Sequence, residues 1–334
     1  FLISAFLHDS PHLQREVKRV DWWGLGLLVL GVGALQIMVD LGERRDWFES
    51  TLIQILAVTA GVGLLLLIIW ELRAEDPVVD LRLFKNRTFA VGTTFITLAM
   101  LPMYGTFLSI PLYCQLVMGY TPLLAGQALA VQSVGILLSM ILTSRLYNYF
   151  EPRWMIACGC LITGFGVWNM THFYPQMGFW EVSWPGFLRG LGSGFLFVPM
   201  STVCLGSVSK ERVGDASAMF NMVRSLGGGI GIALLMSWMS QGAQIHQTTL
   251  VSHVHPYNPV LWDAWTVAGS VTGLDARSTQ GQAFLTLVYG EVQRQALALA
   301  LVDNFRLMAY ILFALIPLVF LMRRPQTPGG VRAH

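Results

Sequence analysis

Charged side chains make up only 12% of the 334 residues, against roughly a quarter in soluble domains, and that shortage excludes a water-soluble globular protein. Between Thr88 and Ser144 there is no Asp, Glu, Lys or Arg at all. A run that long is more than twice the roughly 20 apolar residues that one membrane-spanning helix needs, so at least two spans lie within it. The net charge of +2 is small, and the basic residues are scattered through short loops, which argues against a nucleic-acid partner. Cysteine is scarce too. Cys114, Cys158, Cys160 and Cys204 fall in or beside apolar runs, and Cys158-x-Cys160 on a helix points its thiols to opposite sides, suiting neither a disulfide nor a zinc site; all four read as small apolar packers. Glycine-rich segments follow no strand and carry no Lys-Ser/Thr, which excludes a phosphate-binding loop. A complete signal peptide is lacking as well: Phe1 to Leu7 is apolar but far too short to span and has no basic flank before it. It reads as the tail of a span, and the chain as a fragment of a longer protein.

What the sequence has instead is hydrophobic residues, 54% of the chain, with mean hydropathy +0.58. Apolar windows of helical length are Trp22 to Val39, Thr51 to Trp70, Thr88 to Tyr113, Leu123 to Ser144, Trp154 to Tyr174, Trp184 to Ser207, Ala216 to Gln241 and Asn304 to Met322. Trp22, Trp47, Trp70, Trp154, Trp180 and Trp184 sit at proposed ends, where an indole prefers the headgroup layer. The segments His8 to Asp21, Glu71 to Arg87, Arg145 to Arg153, Val208 to Asp215 and Arg323 to His334 hold three, four, two, two and three Lys or Arg. The loops between them hold two, none, none and two, so the positive-inside bias puts the first set and the C-terminus in the cytoplasm. The last outer loop, Gly242 to Asp303, contains Pro256, Pro259 and an apolar stretch, Ala283 to Val302, interrupted by Glu291 and Arg294. A ninth span there would carry Arg323 and Arg324 outside; an outer-surface helix leading into the last span is expected instead.

Polar groups within spans are costly unless they face protein or a wet cavity. In the third span Thr93, Thr97, Met100, Tyr104, Phe107, Pro111 and Gln115 fall within one stripe of roughly 80° at 100° per residue. The fourth span repeats this with Gln132, Ile136, Ser139 and Thr143, and the sixth with Arg189, Ser193, Met200 and Cys204. Helix-to-helix hydrogen bonding and cavity lining both account for such stripes. In the seventh span Arg224 follows Asn221 by three positions and precedes Gly227, Gly228, Gly229 and Gly231. An Arg there either snorkels to the interface or belongs to a bending, gate-like helix. Pro102, Pro111, Pro199 and Pro317 also interrupt spans. No carboxylate lies deep in any span, Asp40 and Asp215 sitting at ends, which argues against a proton relay in this chain. His246, His253 and His255 lack a supporting second set of groups for a metal and read as solvated loop.

Asp21-Trp-Trp-Gly, Leu35-Gln-Ile-Met-Val-Asp40-x-Gly42, Asp46-Trp47-Phe48-x-Ser50, Trp70-Glu-Leu and Pro77-Val-Val-Asp80-Leu-x-Leu-Phe84-Lys-x-Arg87 closely resemble the fourteen-span drug:proton antiporters of the EmrB/QacA type in the major facilitator superfamily. So do Pro111-Leu-Tyr-x-Gln115 with Gly119-Tyr-Thr-Pro122-x-x-Ala-Gly126, then Pro199-Met-Ser-Thr, Glu211-Arg, Ala216-Ser-Ala and Asn221-x-x-Arg224-x-x-Gly227-Gly-x-Ile-Gly231. The likeness covers nearly the whole chain and is nearest to the EmrB branch. It implies an all-α polytopic membrane protein of the major facilitator fold. Residues 1–21 would be the end of a truncated span and a cytoplasmic linker, and 22–79 two inserted helices. Residues 80–322 would be the C-terminal six-helix transport bundle, with the outer loop at 242–303, and 323–334 a cytoplasmic tail. The N-terminal bundle, with the family's membrane-embedded acidic residue, is expected to be absent.

The resemblance further implies an inner-membrane exporter of hydrophobic or amphiphilic toxic compounds, driven by the proton gradient with no other cofactor, and working by alternating access. It also implies a periplasmic membrane-fusion adaptor and an outer-membrane channel as partners. Tyr104, Phe107, Gln115, Gln132 and Met200 are the expected substrate-cavity residues. Asn221, Arg224, Gly227, Gly228 and Gly231 are expected at the gate or bundle contact. Two other readings stand beside this one. The same architecture serves export of a metabolite, siderophore or lipid-like molecule. A polytopic membrane enzyme would need a surface cluster of ionisable groups, for which only His8, Asp9 and His12 offer themselves, and a solvated linker explains those better.

Overall fold

The computed structural model describes residues 21–74, 78–209, 212–254 and 279–321. Phe1 to Leu7, His8, Asp9 and His12, Glu211, the loop residues His255, Pro256, Pro259 and Arg277, and the tail with Arg323 and Arg324 lie outside those ranges. Among the described residues every regular element is helical. Seven stretches are long and apolar enough to cross a membrane: Trp22–Arg45, Thr51–Arg73, Arg87–Val117, Pro122–Leu146, Phe179–Gly206, Val213–Ser252 and Leu285–Phe320. The protein is a multi-pass membrane protein.

Helices α1 (Trp22–Gly42) and α2 (Thr51–Arg73) form an antiparallel pair. The carboxylate of Asp21 starts α1 by accepting the Gly24 N–H at 2.9 Å, which satisfies one of the free donors at a helix N-terminus. Its other oxygen accepts the Trp70 indole N–H at 2.8 Å, fastening the beginning of α1 to the end of α2. Midway, Gly31 and Gly63 face each other so closely that a Cβ on Gly63 would lie 2.9 Å from the Gly31 backbone and one on Gly31 3.0 Å from the Gly63 backbone. Between the helices the chain turns through two short 3-10 segments around Asp46 and Trp47, both at positive φ.

The remaining long helices pack into one bundle: α3 (Arg87–Leu112), α4 (Pro122–Leu146), α5 (Pro152–Met170), α6 (Phe179–Gly206), α7 (Val213–Ser252), α8 (Thr279–Ala314) and the short α9 (Ile316–Phe320). At 19 residues α5 is the shortest of the long helices; it ends at Met170, short of the expected Trp154 to Tyr174 window, and is not among the seven stretches long and apolar enough to cross a membrane. Asn86 caps α3 by accepting from the Thr88 and Phe89 N–H groups, and its amide donates to the Ser207 carbonyl at 2.6 Å. The start of α3 is thereby tied to the end of α6. Helix α6 lies between α4 and α5, α3 packs on α7 and α8, and α8 returns to α5, while α1 touches α7. Small residues allow these approaches: a Cβ at Gly190 would come within 2.3 Å of the Gln132 carbonyl on α4, and one at Gly192 within 2.3 Å of the Thr163 hydroxyl on α5.

Two apolar cores result. One, around Phe89, Phe95, Ile96 and Leu196, fills the Asn86 end of the bundle. The other, around Tyr113, Phe173, Phe305 and Leu312, fills the opposite end.

Two helices run further than the apolar windows indicate. Helix α7 has 40 residues and α8 has 36, about 60 and 54 Å at 1.5 Å per residue, against a hydrocarbon layer of about 30 Å. The stretch Ala283 to Val302 is thus one rod with the last span up to Ala314, where Leu315 breaks the helix just ahead of Pro317. His246 on α7 meets Asp303 on α8 at 2.8 Å, and Arg306 holds the same carboxylate at 3.1 Å. Of the four cysteines Cys114, Cys160 and Cys204 are buried, Cys158 is exposed, and none is paired in a disulfide. The described residues contain no group of three or more His, Cys, Asp or Glu placed to hold a metal.

Candidate functional site

Between the two cores, where α3, α4, α6 and α7 converge, lies a cavity of about 320 Å³, within the size range of small-molecule sites. Three of the four helices present a stripe to it at the spacing that brings side chains onto one face, and α7 a single residue. Helix α3 supplies Met100, Met103, Tyr104 and Phe107; α4 supplies Gln132, Ser133 and Ile136; α6 supplies Arg189, Gly190, Ser193 and Phe197; and α7 supplies Arg224. Aromatic and thioether surface thus dominates, with a few polar groups set into it. Tyr104 and Phe107 are 41% and 50% exposed, whereas Gln132 and Arg189 are 3% and 2% exposed. The two rings are open to the cavity, and the polar groups are sunk in its wall.

The polar wall is incompletely satisfied among the described residues. Arg189 Nη1 donates to the Met103 carbonyl at 3.0 Å and to the Thr106 hydroxyl at 3.2 Å, while its Nε–H and the Gln132 Oε1 are buried without a partner. Thr106 in turn donates to the carbonyl of Pro102. Ser193 is satisfied locally, donating to Gly190 at 2.6 Å.

The glycines after Arg224 form the seam between α7 and α3. A Cβ at Gly227 would lie 2.6 Å from the Thr97 carbonyl, one at Gly228 2.9 Å from the Tyr104 ring, and one at Gly231 2.7 Å from the Leu101 backbone. Tyr104 therefore rests directly on α7, so movement of α7 along this seam bears on the cavity wall. Gly229 faces away, toward the Gln36 amide of α1. Asn221 is exposed and its amide donates to the Ser217 carbonyl one turn back at 2.9 Å.

Of the residues expected in the cavity, Tyr104, Phe107 and Gln132 line it and Arg224 joins them. Met200 does not: it is wholly buried in the core at the Asn86 end, where the Cys204 thiol donates to its sulfur at 3.8 Å. Gln115 is exposed beyond the other end of α3, in a π turn spanning Tyr113–Val117. The 100° rule that placed it on the Tyr104 stripe fails there, because a wider turn rotates each residue by less. Arg189 and Ser193, on the polar stripe of α6, also line the cavity, beyond the residues that the sequence points to. The signal that singles out Arg189 is a cation in the middle of an otherwise uncharged window. A second depression, around Asn86, Ser207, Ser209 and Arg212, lies at the bundle's end, where Arg212 pairs with Asp80 at 3.2 Å.

The family model described as Major Facilitator Superfamily matches residues 18–232. Among curated proteins, the multidrug export protein EmrB of Escherichia coli K12 is 33% identical over 317 residues, covering 94% of this chain and 60% of that protein. The fatty acid resistance protein FarB of Neisseria gonorrhoeae is 32% identical over 98% of this chain and 64% of its own length. EmrB of Haemophilus influenzae is 39% identical over 78% and 51% respectively. The chain spans about three-fifths of the length of the first two of these relatives.

Proposed function

The chain belongs to the major facilitator superfamily, and from that membership we propose that it is the C-terminal part of a proton-coupled multidrug exporter of the bacterial inner membrane. In this reading α1 and α2 are the inserted pair, and α3 to α9 the C-terminal bundle. The observation that carries it is the cavity at the convergence of α3, α4, α6 and α7, walled by Tyr104, Phe107 and methionines with few polar groups. A transporter of varied apolar compounds needs such a wall: rings and thioethers adapt to many shapes, and isolated polar groups orient an amphiphile. Alternating access supplies the cycle, with the Gly227, Gly228 and Gly231 seam letting α7 shift against α3. The proton gradient supplies the energy. The resemblance of the sequence motifs to the EmrB branch implies a periplasmic adaptor and outer-membrane channel as partners, and the distribution of basic residues supports a cytoplasmic C-terminus.

The test is resistance in a drug-susceptible host that expresses the full-length protein of which this chain is the proposed C-terminal part. Tyr104→Ala and Gln132→Ala are expected to alter the spectrum or level of resistance at unchanged membrane abundance. Unaltered resistance to every compound in a broad panel would remove the cavity assignment.

A further inference from the structure

Helix α7 is held in different ways by its neighbours. On α8 it is fastened by hydrogen bonds: His246 meets Asp303 at 2.8 Å, and the buried Asn304 amide donates to the Leu235 carbonyl at 3.5 Å. On α3 it rests through Gly227, Gly228 and Gly231. Gly229 lies roughly 150° around the helix from the mean direction of those three, at 100° per residue, and faces α1. There a Cβ would come within 2.5 Å of the Gln36 amide nitrogen and 2.6 Å of its oxygen, so the end of the Gln36 side chain occupies the notch that Gly229 leaves in α7. That amide donates to Asp40 on its own helix at 3.0 Å, and it meets α7 by shape. The α1–α2 pair behind it is firmly placed. Its helices are joined at Asp21 and Trp70 and at the crossing of Gly31 with Gly63. At the Asn86 end Leu28 packs on the bundle core, and Arg82 Nη2 donates to the Leu72 carbonyl at 3.4 Å. What stands behind α7 is thus a fixed helix with a compliant tip, since an unbranched amide side chain can change rotamer where backbone cannot step aside. A shift of α7 away from α3 has to displace that tip.

We propose that Gln36 is a positioning residue for transport: seated in the Gly229 notch, it sets how far α7 moves off α3 and hence off the Tyr104 ring. The α1–α2 pair thereby acts on turnover without touching the transported compound. This rests on the reading of the α3–α4–α6–α7 cavity as the transport site.

The test uses the full-length protein, of which this chain is the proposed C-terminal part, reconstituted in liposomes under an imposed proton gradient. Transport of rhodamine 6G, ethidium and 1-anilinonaphthalene-8-sulfonate is measured as KM and Vmax, beside membrane abundance. Gly229→Leu fills the notch and is expected to lower Vmax about five-fold or more with KM within about two-fold, because neither Gly229 nor Gln36 lines the cavity. Gln36→Ala alone takes the tip away and is expected to cost about three-fold in Vmax. Together the two are expected to bring Vmax back to within about 1.5-fold of the unaltered protein, since Gln36→Ala removes as many side-chain heavy atoms as Gly229→Leu adds, and volume-conserving swaps are tolerated best. A merely structural contact would show in abundance, and a cavity role in KM; neither would give this mutual rescue of Vmax. Should Gly229→Leu not accumulate, Gln36→Trp decides. It overfills the same notch from α1 with α7 intact, and is expected to lower Vmax about five-fold at normal abundance. Losses that multiply in the double variant, or unaltered Vmax in Gly229→Leu or Gln36→Trp, overturn the proposal and leave the transport reading standing. Failure of the unaltered protein to move any of the three dyes overturns that reading, and the positioning role with it.

Discussion

Helices α2 and α6 are both membrane-length, yet they are built on opposite principles. Helix α2 has mean hydropathy 2.7 in its most apolar window, of which 22% is buried against protein; for α6 the values are 1.3 and 56%. Leu52, Ile55, Val58, Val62 and Leu65 of α2 are all exposed, as side chains facing lipid should be. Helix α6 instead carries Arg189, Ser193, Gly190, Gly192 and Gly194, and buries them. The difference shows where polarity is tolerated in this protein. The buried cation Arg189 and the buried hydroxyls of Ser183 and Ser193 lie on a helix that neighbours enclose on two sides, and the glycines that permit such enclosure sit beside them; the Thr59 hydroxyl of the exposed α2 instead bonds back to its own helix at the Ile55 carbonyl. The α1–α2 pair, touching the bundle mainly through α1 and α7, carries no such wall.

The sharpest way to break this contrast is to thicken the enclosed helix. Gly190→Val would drive a side chain into the Gln132 backbone, 2.3 Å from where its Cβ must sit; since backbone cannot step aside as a flexible side chain can, a loss of several kcal/mol is expected. Thermal unfolding in detergent, together with membrane abundance, measures it. Next in size is Gly228→Val, whose Cβ meets the Tyr104 ring at 2.9 Å. A ring can rotate, so stability should fall by only about 1 kcal/mol, while efflux falls more steeply because the cavity wall is displaced; parallel abundance and efflux assays separate the two. Smaller still is Trp70→Phe, which removes the donor to Asp21. In a partly exposed site this should cost about 1 kcal/mol or less and leave efflux unchanged. At the bottom is Gly61→Ala on α2, where nothing lies within 4 Å: no loss of stability or efflux is expected.

The sequence made much of this architecture legible. Uncharged windows longer than a bilayer located the helices, and indoles and basic loops located their ends, because the membrane imposes those patterns independently of the fold. The polar stripe on α3 was legible because 100° per residue holds along a regular helix. It failed at Gln115, where a π turn changes the rotation. Met200 shows a different limit: periodicity tells which residues share a face, and the face of α6 that lines the cavity at Ser193 enters solid core two turns later. Arg189 was on the right stripe, but its lack of a counter-charge among the described residues is a property of three neighbouring helices and is written in none of them alone. The continuity of α7 and α8 past the bilayer was equally hidden, because hydropathy registers where a helix leaves lipid but not where it ends.

The central claim is that the α3–α4–α6–α7 cavity receives the transported compound and that the α1–α2 pair does not. It is tested most directly by photo-crosslinking in membranes. The photoreactive residue p-benzoylphenylalanine is placed either at Phe107, in the cavity wall, or at Val58, on the exposed face of α2, and the membranes are irradiated with a radiolabelled amphiphilic drug. The account predicts saturable labelling at position 107 that excess unlabelled drug abolishes, and only weak, non-competable labelling at position 58. Equal labelling at both positions, or labelling at 107 that no drug displaces, would contradict it.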